Sequence, residues 1–199
     1  MGRAQGFDTD TVVRAARRVF WEHGYERTGI ADLEAATGLR RSSLYHAFGN
    51  KSGLFDAVID SYLTEVIRPR LRPLQAEVVP PSALVDYLAG LRAAMAQNTA
   101  ISSYGCLLVS AAAAPVVEDD TVRAAIVSYH RELSTAFRRG LLAADPDASE
   151  EAVDRSVLTI TSLVVAAFGL ARADHAAAVA NLDAALAIAG TAGRAPSDV

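Results

Sequence analysis

Apolar residues recur at three- and four-residue spacing along nearly the whole chain, and no stretch alternates apolar and polar positions as a strand does. The pattern predicts an all-α protein of about nine helices. The first is opened by Asp8 as N-cap, carries Val12, Ala16, Val19 and Phe20 on one side and stops at Gly24. Two short helices follow, joined by a turn at Gly38. Thr28 is the expected N-cap of the earlier one, Ile30 and Leu33 face inward from it, and Leu39 closes the small core. Leu44 and Phe48, four apart, anchor the later one. A long fourth helix spans 51–75 with Leu54, Val58, Tyr62 and Val66 on its buried side, disturbed by Pro69 and Pro73. Beyond the Pro80-Pro81 break the pattern gives helices over 82–98, 105–114 and 119–144. Pro146 and the N-cap Ser149 open another to about 173, and the last covers 175–190.

With Leu44 and Phe48 turned inward, Arg40, Arg41, Ser42, Ser43, Tyr45 and His46 are forced to the opposite side. Two short helices, a glycine turn and a polar outer face are the construction of a DNA-reading helix-turn-helix. Residues 28–55 resemble the TetR family of bacterial transcriptional repressors. That family's signature is a Thr at the start of the second helix, Ile-Ala, Gly and a hydrophobic residue in the turn, Leu-Tyr-x-x-Phe, and a Lys opening the next helix. Here these are Thr28, Ile30, Ala31, Gly38, Leu39, Leu44, Tyr45, Phe48 and Lys51. Ser42-Ser43 stands where many members have Gly-Thr. The resemblance implies a helix-turn-helix DNA-binding domain over 1–52 and a helical ligand-binding and dimerisation domain over 53–199.

The expected DNA contacts divide by chemistry. Arg40 and Arg41, at the start of the reading helix, suit either guanine O6 and N7 in the major groove or a phosphate clamp. Ser42 and Ser43 are small enough to let the helix approach base edges, and the resemblance places Ser43 at the DNA. Tyr45 and His46 are candidate phosphate contacts, with Tyr45 able to touch a thymine methyl; His46 reads equally as a plain helix-surface histidine. Thr28 and Lys51 begin helices, where hydroxyl, amine and backbone amides converge on phosphate. Arg3, in the arm before the first helix, is a candidate for the minor groove.

Charge changes the picture only once it is divided. The formal net charge of −4 would argue against nucleic acid if it were evenly spread. Residues 1–55 hold eight Lys or Arg against six Asp or Glu, and the remaining 144 hold 11 against 17. The basic end is the one bearing the motif, as expected when one domain meets phosphate and the other does not.

In the C-terminal part, the resemblance implies a pocket for an apolar or amphipathic small molecule among the middle helices. Tyr62, Val66, Leu88, Met95, Tyr104, Cys106, Leu108, Tyr129, His130 and Phe137 are the candidate liners, and each also reads as ordinary core. Gly105-Cys106-Leu107-Leu108 resembles a segment in a branch of the family that responds to electrophiles. Cys106 is therefore either a thiol sensor or a small buried hydrophobe. The last two helices carry Val157, Ile160, Leu163, Val164 and Phe168, and Val179, Leu182 and Leu186. A helix apolar all round must be covered on more than one side. These residues are the expected seam of a four-helix homodimer interface, the alternative being burial within one chain.

Other classes of function find little support. The chain has one cysteine and no Cys/His cluster with metal-ligand spacing, no Gly-x-Ser-x-Gly and no phosphate-cradling glycine loop. No enzyme, metal or cofactor is expected. The N-terminus lacks an apolar signal segment, and the most membrane-like run, 156–171, sixteen residues without a charge, is short for a bilayer and contains four hydroxyl residues. A cytoplasmic homodimer binding a palindromic double-stranded operator and a small effector is the expectation. The opposing reading is a helical small-molecule-binding or interaction module with little DNA function.

Overall fold

The computed structural model describes residues 7–97 and 99–191, and within them the regular structure is entirely helical. Helix α1 (Thr9–His23) is capped by the Asp8 carboxylate, which accepts from the Asp10 amide, and ends at Gly24. Helix α2 (Ile30–Thr37) begins one residue later than expected: Gly29 is its N-cap, and the Asp32 carboxylate accepts from the Gly29 amide at 2.8 Å. Thr28 instead donates its hydroxyl to the Gly24 carbonyl at 2.7 Å and is 1% exposed. Gly38 ends α2 at φ 71°, a left-handed conformation that glycine adopts without a Cβ penalty. The chain then enters α3 (Arg41–Phe48).

Phe20, Leu33, Leu44, Leu54 and Phe55 meet beneath these helices, each at most 2% exposed. The rings of Phe20 and Phe55 cross edge-on at 5.0 Å between centroids, and Tyr25 packs on both. Burial of each such side chain stabilises by about 1.5–3 kcal/mol, so this small unit has its own core.

Helix α4 (Lys51–Tyr62), capped by the Asn50 side chain on the Gly53 amide, runs through a π-turn at Leu63–Ile67 into α5 (Arg68–Gln75). The disturbance expected at Pro69 is this π-turn, whereas α5 continues through Pro73. Pro69 has no N–H for the Glu65 carbonyl, and the widened turn places it in the first turn of a new helix, where no such bond is needed. Next come α6 (Ala83–Ala96), a single turn α7 (Ala100–Ser103) and α8 (Leu107–Ala112). A 3₁₀ turn at Pro115–Glu118 precedes α9 (Asp120–Ala144), α10 (Glu150–Leu170) and α11 (His175–Thr191). Helix α8 is shorter than the 105–114 expected because Gly105 has φ 69° and Cys106 is extended.

Helix α1 packs on α2 and α4, α9 lies against α5 and α10, and α11 fills the space between α10 and α6. Helix α10 is long and apolar enough by length and composition to cross a membrane. Its Val153, Val157, Ile160, Val164 and Ala167 stripe is buried within the chain's own bundle.

Candidate nucleic-acid interface and effector cavity

Helix α3 is held by its inner face and offers the outer one. Leu44 is 2% exposed and anchors it, while Arg40, Arg41, Ser42 and His46 are exposed and Ser43 and Tyr45 are half-buried. The Arg41 amide donates to the Glu34 carboxylate of α2 at 2.6 Å, which fixes one short helix against the other. The Arg41 guanidinium lies 5.0 Å over the Tyr45 ring, so the two side chains form one ledge on the outer face. One expected contact is placed otherwise. Thr28 is sealed, with its hydroxyl committed to Gly24, and has no face to give a phosphate. Lys51 is half-buried with its amine 4.3 Å over the Tyr25 ring, and desolvation pulls its pKa down. Arg3 lies outside the described residues.

Between α1, α4, α5, α6, α7 and α10 is a cavity of about 280 Å³. Its apolar wall includes Trp21, Tyr62, Val66, Leu91, Met95 and Phe168, and its polar groups include Arg70, Gln97, Thr99 and Ser102. Of the expected liners only Tyr62, Val66 and Met95 reach it. Leu88 and Phe137 are wholly buried because α6 turns Leu84 and Leu88 into the bundle and Tyr87 and Leu91 toward the cavity. Tyr104 lies outside, beneath the Arg172 guanidinium at 5.1 Å. Leu108, Tyr129 and His130 line a separate apolar groove between α8, α9 and α10.

Cys106 is 0% exposed, with its Sγ 3.9 Å from the Tyr129 hydroxyl. Burial, and then the neighbouring cysteine, pushes the Tyr62, Tyr87 and Tyr129 hydroxyls well above the ordinary tyrosine range. The thiol is thus enclosed by protonated phenols.

The seam expected on the last two helices is corrected in part. Val157, Ile160, Val164 and Leu182 are at most 9% exposed within a single chain, so they belong to its internal core. Phe168 is on the cavity wall, and Leu163, Val179 and Leu186 are half-buried.

Comparison with known proteins decides the family. The sequence model of the bacterial regulatory proteins of the tetR family matches residues 12–58. The HTH-type transcriptional repressor ComR of Escherichia coli is 43% identical over 91 residues, 45% of this chain and 43% of ComR, so the match spans under half of that relative. The HTH-type transcriptional regulator YezE of Bacillus subtilis is 32% identical over 145 residues, 72% of this chain and 73% of YezE. The TetR family regulator CifR, solved as a cysteine-substituted form with a 26bp double-strand operator DNA, superimposes with a TM-score of 0.74. It is 29% identical, covering 94% of this chain and 98% of CifR.

The chain belongs to the TetR family. It is a transcriptional regulator and not an enzyme.

Contacts that the sequence pattern did not point out tie the reading unit of this TetR-family chain to the helical bundle. The Trp21 indole donates to the Gly105 carbonyl at 2.9 Å and its ring meets Tyr62 edge-on at 5.0 Å. Arg172, at the end of α10, donates to the Trp21 and Glu22 carbonyls at 2.6 and 2.8 Å and so caps the C-terminal end of α1. The Glu26 carboxylate accepts from the Val116 amide at 2.9 Å. The Ser52 hydroxyl donates to Asp119 at 3.0 Å, and this bond, followed by the amides of α9's first turn, holds the Asp119 carboxyl below its usual range. Signals for the missed cavity residues do exist. Trp21 is the chain's single tryptophan and sits beside the Phe20 stripe, and Arg70 continues the four-residue spacing of Tyr62 and Val66.

Proposed function

We propose that the chain is a repressor that binds a palindromic operator as a homodimer and leaves it when a small apolar or amphipathic molecule fills the cavity bounded by Trp21, Tyr62 and Phe168. The observation that carries this reading is that one residue of α1, Trp21, is both part of the reading unit and part of the cavity wall. A ligand there presses directly on α1, which packs on α2 and α4, the two helices that hold α3. The ligand-filled arrangement then holds the reading heads of the two copies out of step with successive major grooves, about 34 Å apart.

Support for the homodimer comes from the faces that one chain leaves uncovered. Leu158, Ser162, Val165 and Gly169 form a stripe on α10, with Leu158 69% exposed. Ala176, Ala180, Ala184 and Ala187 form a parallel exposed stripe of small residues on α11. Small side chains let two helix pairs approach closely. The division into a reading domain over 1–52 and a sensing domain over 53–199 belongs to the same proposal, as do its cytoplasmic setting and the DNA roles of Arg40, Arg41, Ser42, Ser43, Tyr45 and His46.

The test is a gel shift with the DNA upstream of the protein's own gene and a scrambled duplex. Arg41→Ala and Ser43→Ala are expected to weaken binding to the specific duplex by about 1–3 kcal/mol where a base contact is lost. Loss of a phosphate contact instead weakens both duplexes alike and flattens the salt dependence. Unchanged binding by an Arg41→Ala, Tyr45→Ala double variant overturns the assignment of α3. Absence of any specific shift favours the helical binding module without DNA function.

A further inference from the structure

The cavity wall is chemically one-sided. Among its described residues Arg70 is the single charged side chain and none is acidic. The Arg70 Nη1 donates to the Val66 carbonyl at 2.6 Å, and no carboxylate pairs with this arginine among the described residues. Arg68 beside it, by contrast, faces Glu132 at 3.5 Å. The charge of Arg70 is felt at the Tyr62 and Tyr87 hydroxyls, where it works against the burial that raises them. An unpaired guanidinium on a cavity wall that holds no acid among its described residues forms a surface that accepts an anion and repels a cation.

The rest of the wall is apolar and largely aromatic. Trp21, Tyr62, Tyr87 and Phe168 contribute rings, and Leu91 and Met95 fill the spaces between them. The volume of about 280 Å³ holds roughly nine waters at about 30 Å³ each, which is room for one ring and a short chain. Rings on the wall favour a ring in the ligand, because offset and edge-on aromatic pairs gain beyond their buried area.

We infer that the effector of this cavity is a small aromatic acid, a single ring on a short chain ending in a carboxylate that pairs with Arg70. This deepens, and rests on, the reading of the cavity as the effector site. The carboxylate distinguishes the ligand class from neutral aromatics, which leave Arg70 without a partner, and from aromatic amines, which it repels.

Trp21 is the only tryptophan in the chain and lies on the cavity wall, so its fluorescence reports occupancy directly. The experiment titrates the intact protein, without DNA, with phenylpropanoate, phenylpropanamide and phenylpropylamine, exciting where phenyl groups do not absorb. The acid is expected to give a saturable change and the amide to bind on the order of ten-fold more weakly, the difference between a charge-assisted and a neutral hydrogen bond. The amine is expected to give none. Arg70→Gln should bring the acid down to the level of the amide, and Arg70→Lys should restore part of the difference. Equal binding of acid and amide, no effect of Arg70→Gln, or no saturable change with any of the three overturns the inference. The acid–amide comparison on the wild-type chain needs no variant, so it decides the matter even where a substitution disturbs the fold. A parallel gel shift on the ligand-free protein separates this result from the DNA reading: either can fail while the other stands.

Discussion

The Trp21 indole N–H and the Gly105 carbonyl oxygen, 84 residues apart in the chain, are joined by a 2.9 Å hydrogen bond at the wall of the cavity. The bond links the helix beneath the DNA-reading unit to the segment that leads into α8. A ligand entering the cavity therefore meets the donor of this bond, and the acceptor belongs to the wall as well.

Trp21→Phe keeps a ring in the cavity but removes the donor. We expect a loss of about 0.5–1.5 kcal/mol in stability, the usual net worth of one hydrogen bond. Affinity of the ligand-free protein for its operator should change little, while release of DNA by phenylpropanoate should weaken. Thermal melting and a gel shift with and without that acid check both. Release by an unaltered factor would show that coupling runs through Arg172 and the end of α1 instead.

Gly105→Ala meets two obstacles at once. The residue has φ 69°, and a Cβ there would stand 2.4 Å from the Phe168 carbonyl oxygen. Left-handed backbone at a non-glycine residue costs about 1–3 kcal/mol before the clash is relieved. We expect a fall of about 4–8 °C in Tm for a chain of this size. A melt equal to that of the wild type would mean that α10 yields easily at Phe168.

Arginine scanning separates the two sides of α10. Leu158 is 69% exposed and Val164 is 0% exposed. Leu158→Arg should leave a folded chain that no longer pairs, seen by light scattering as a monomer with native helicity and weakened operator binding. Val164→Arg should unfold the chain, because it places an unpaired charge in the core at a cost of about several kcal/mol. A dimeric Leu158→Arg protein would remove this face from the proposed interface.

Cys106 is sealed between α8 and the tyrosines, so its access is set by opening of the bundle. An aromatic disulfide reagent should label it slowly in buffer and rapidly once denaturant unfolds the chain. Fast labelling of the native protein together with loss of operator binding would make it a sensor after all.

The buried phenols set the alkaline limit of stability. Tyr62 and Tyr129 have their pKa raised well above the ordinary value of 10.0 in the folded chain, first by burial and then by the neighbouring cysteine. The unfolded chain loses these protons near pH 10 and the folded chain keeps them. Their contribution is therefore fully present below pH 10 and is lost as the pH rises beyond it. Denaturation midpoints should fall steeply above pH 10, and tyrosinate absorbance should rise together with loss of helix. Titration of these tyrosines before any loss of helix would contradict their burial.

The helix-turn-helix is legible in the sequence because everything that makes it is local. Gly38, Leu33, Leu44 and Phe48 stand close in the chain, and their spacing leaves the polar side of α3 only one direction to face. Even there, the cap went to Gly29 and Asp32 because Thr28 found a better acceptor in the Gly24 carbonyl, a competition between neighbouring bonds that spacing cannot rank. The cavity is set by contacts between helices distant in the sequence. Helices α6, α10 and α11 are apolar on several sides, so periodicity does not say which side faces inward. Distant partners choose that Leu88 is core and Leu91 is wall, that Val164 is core and Phe168 is wall, and that Trp21 leaves its own domain to join them. A periodic pattern records that a face is buried; which neighbour buries it is settled only when helices far apart in sequence compete for the same space.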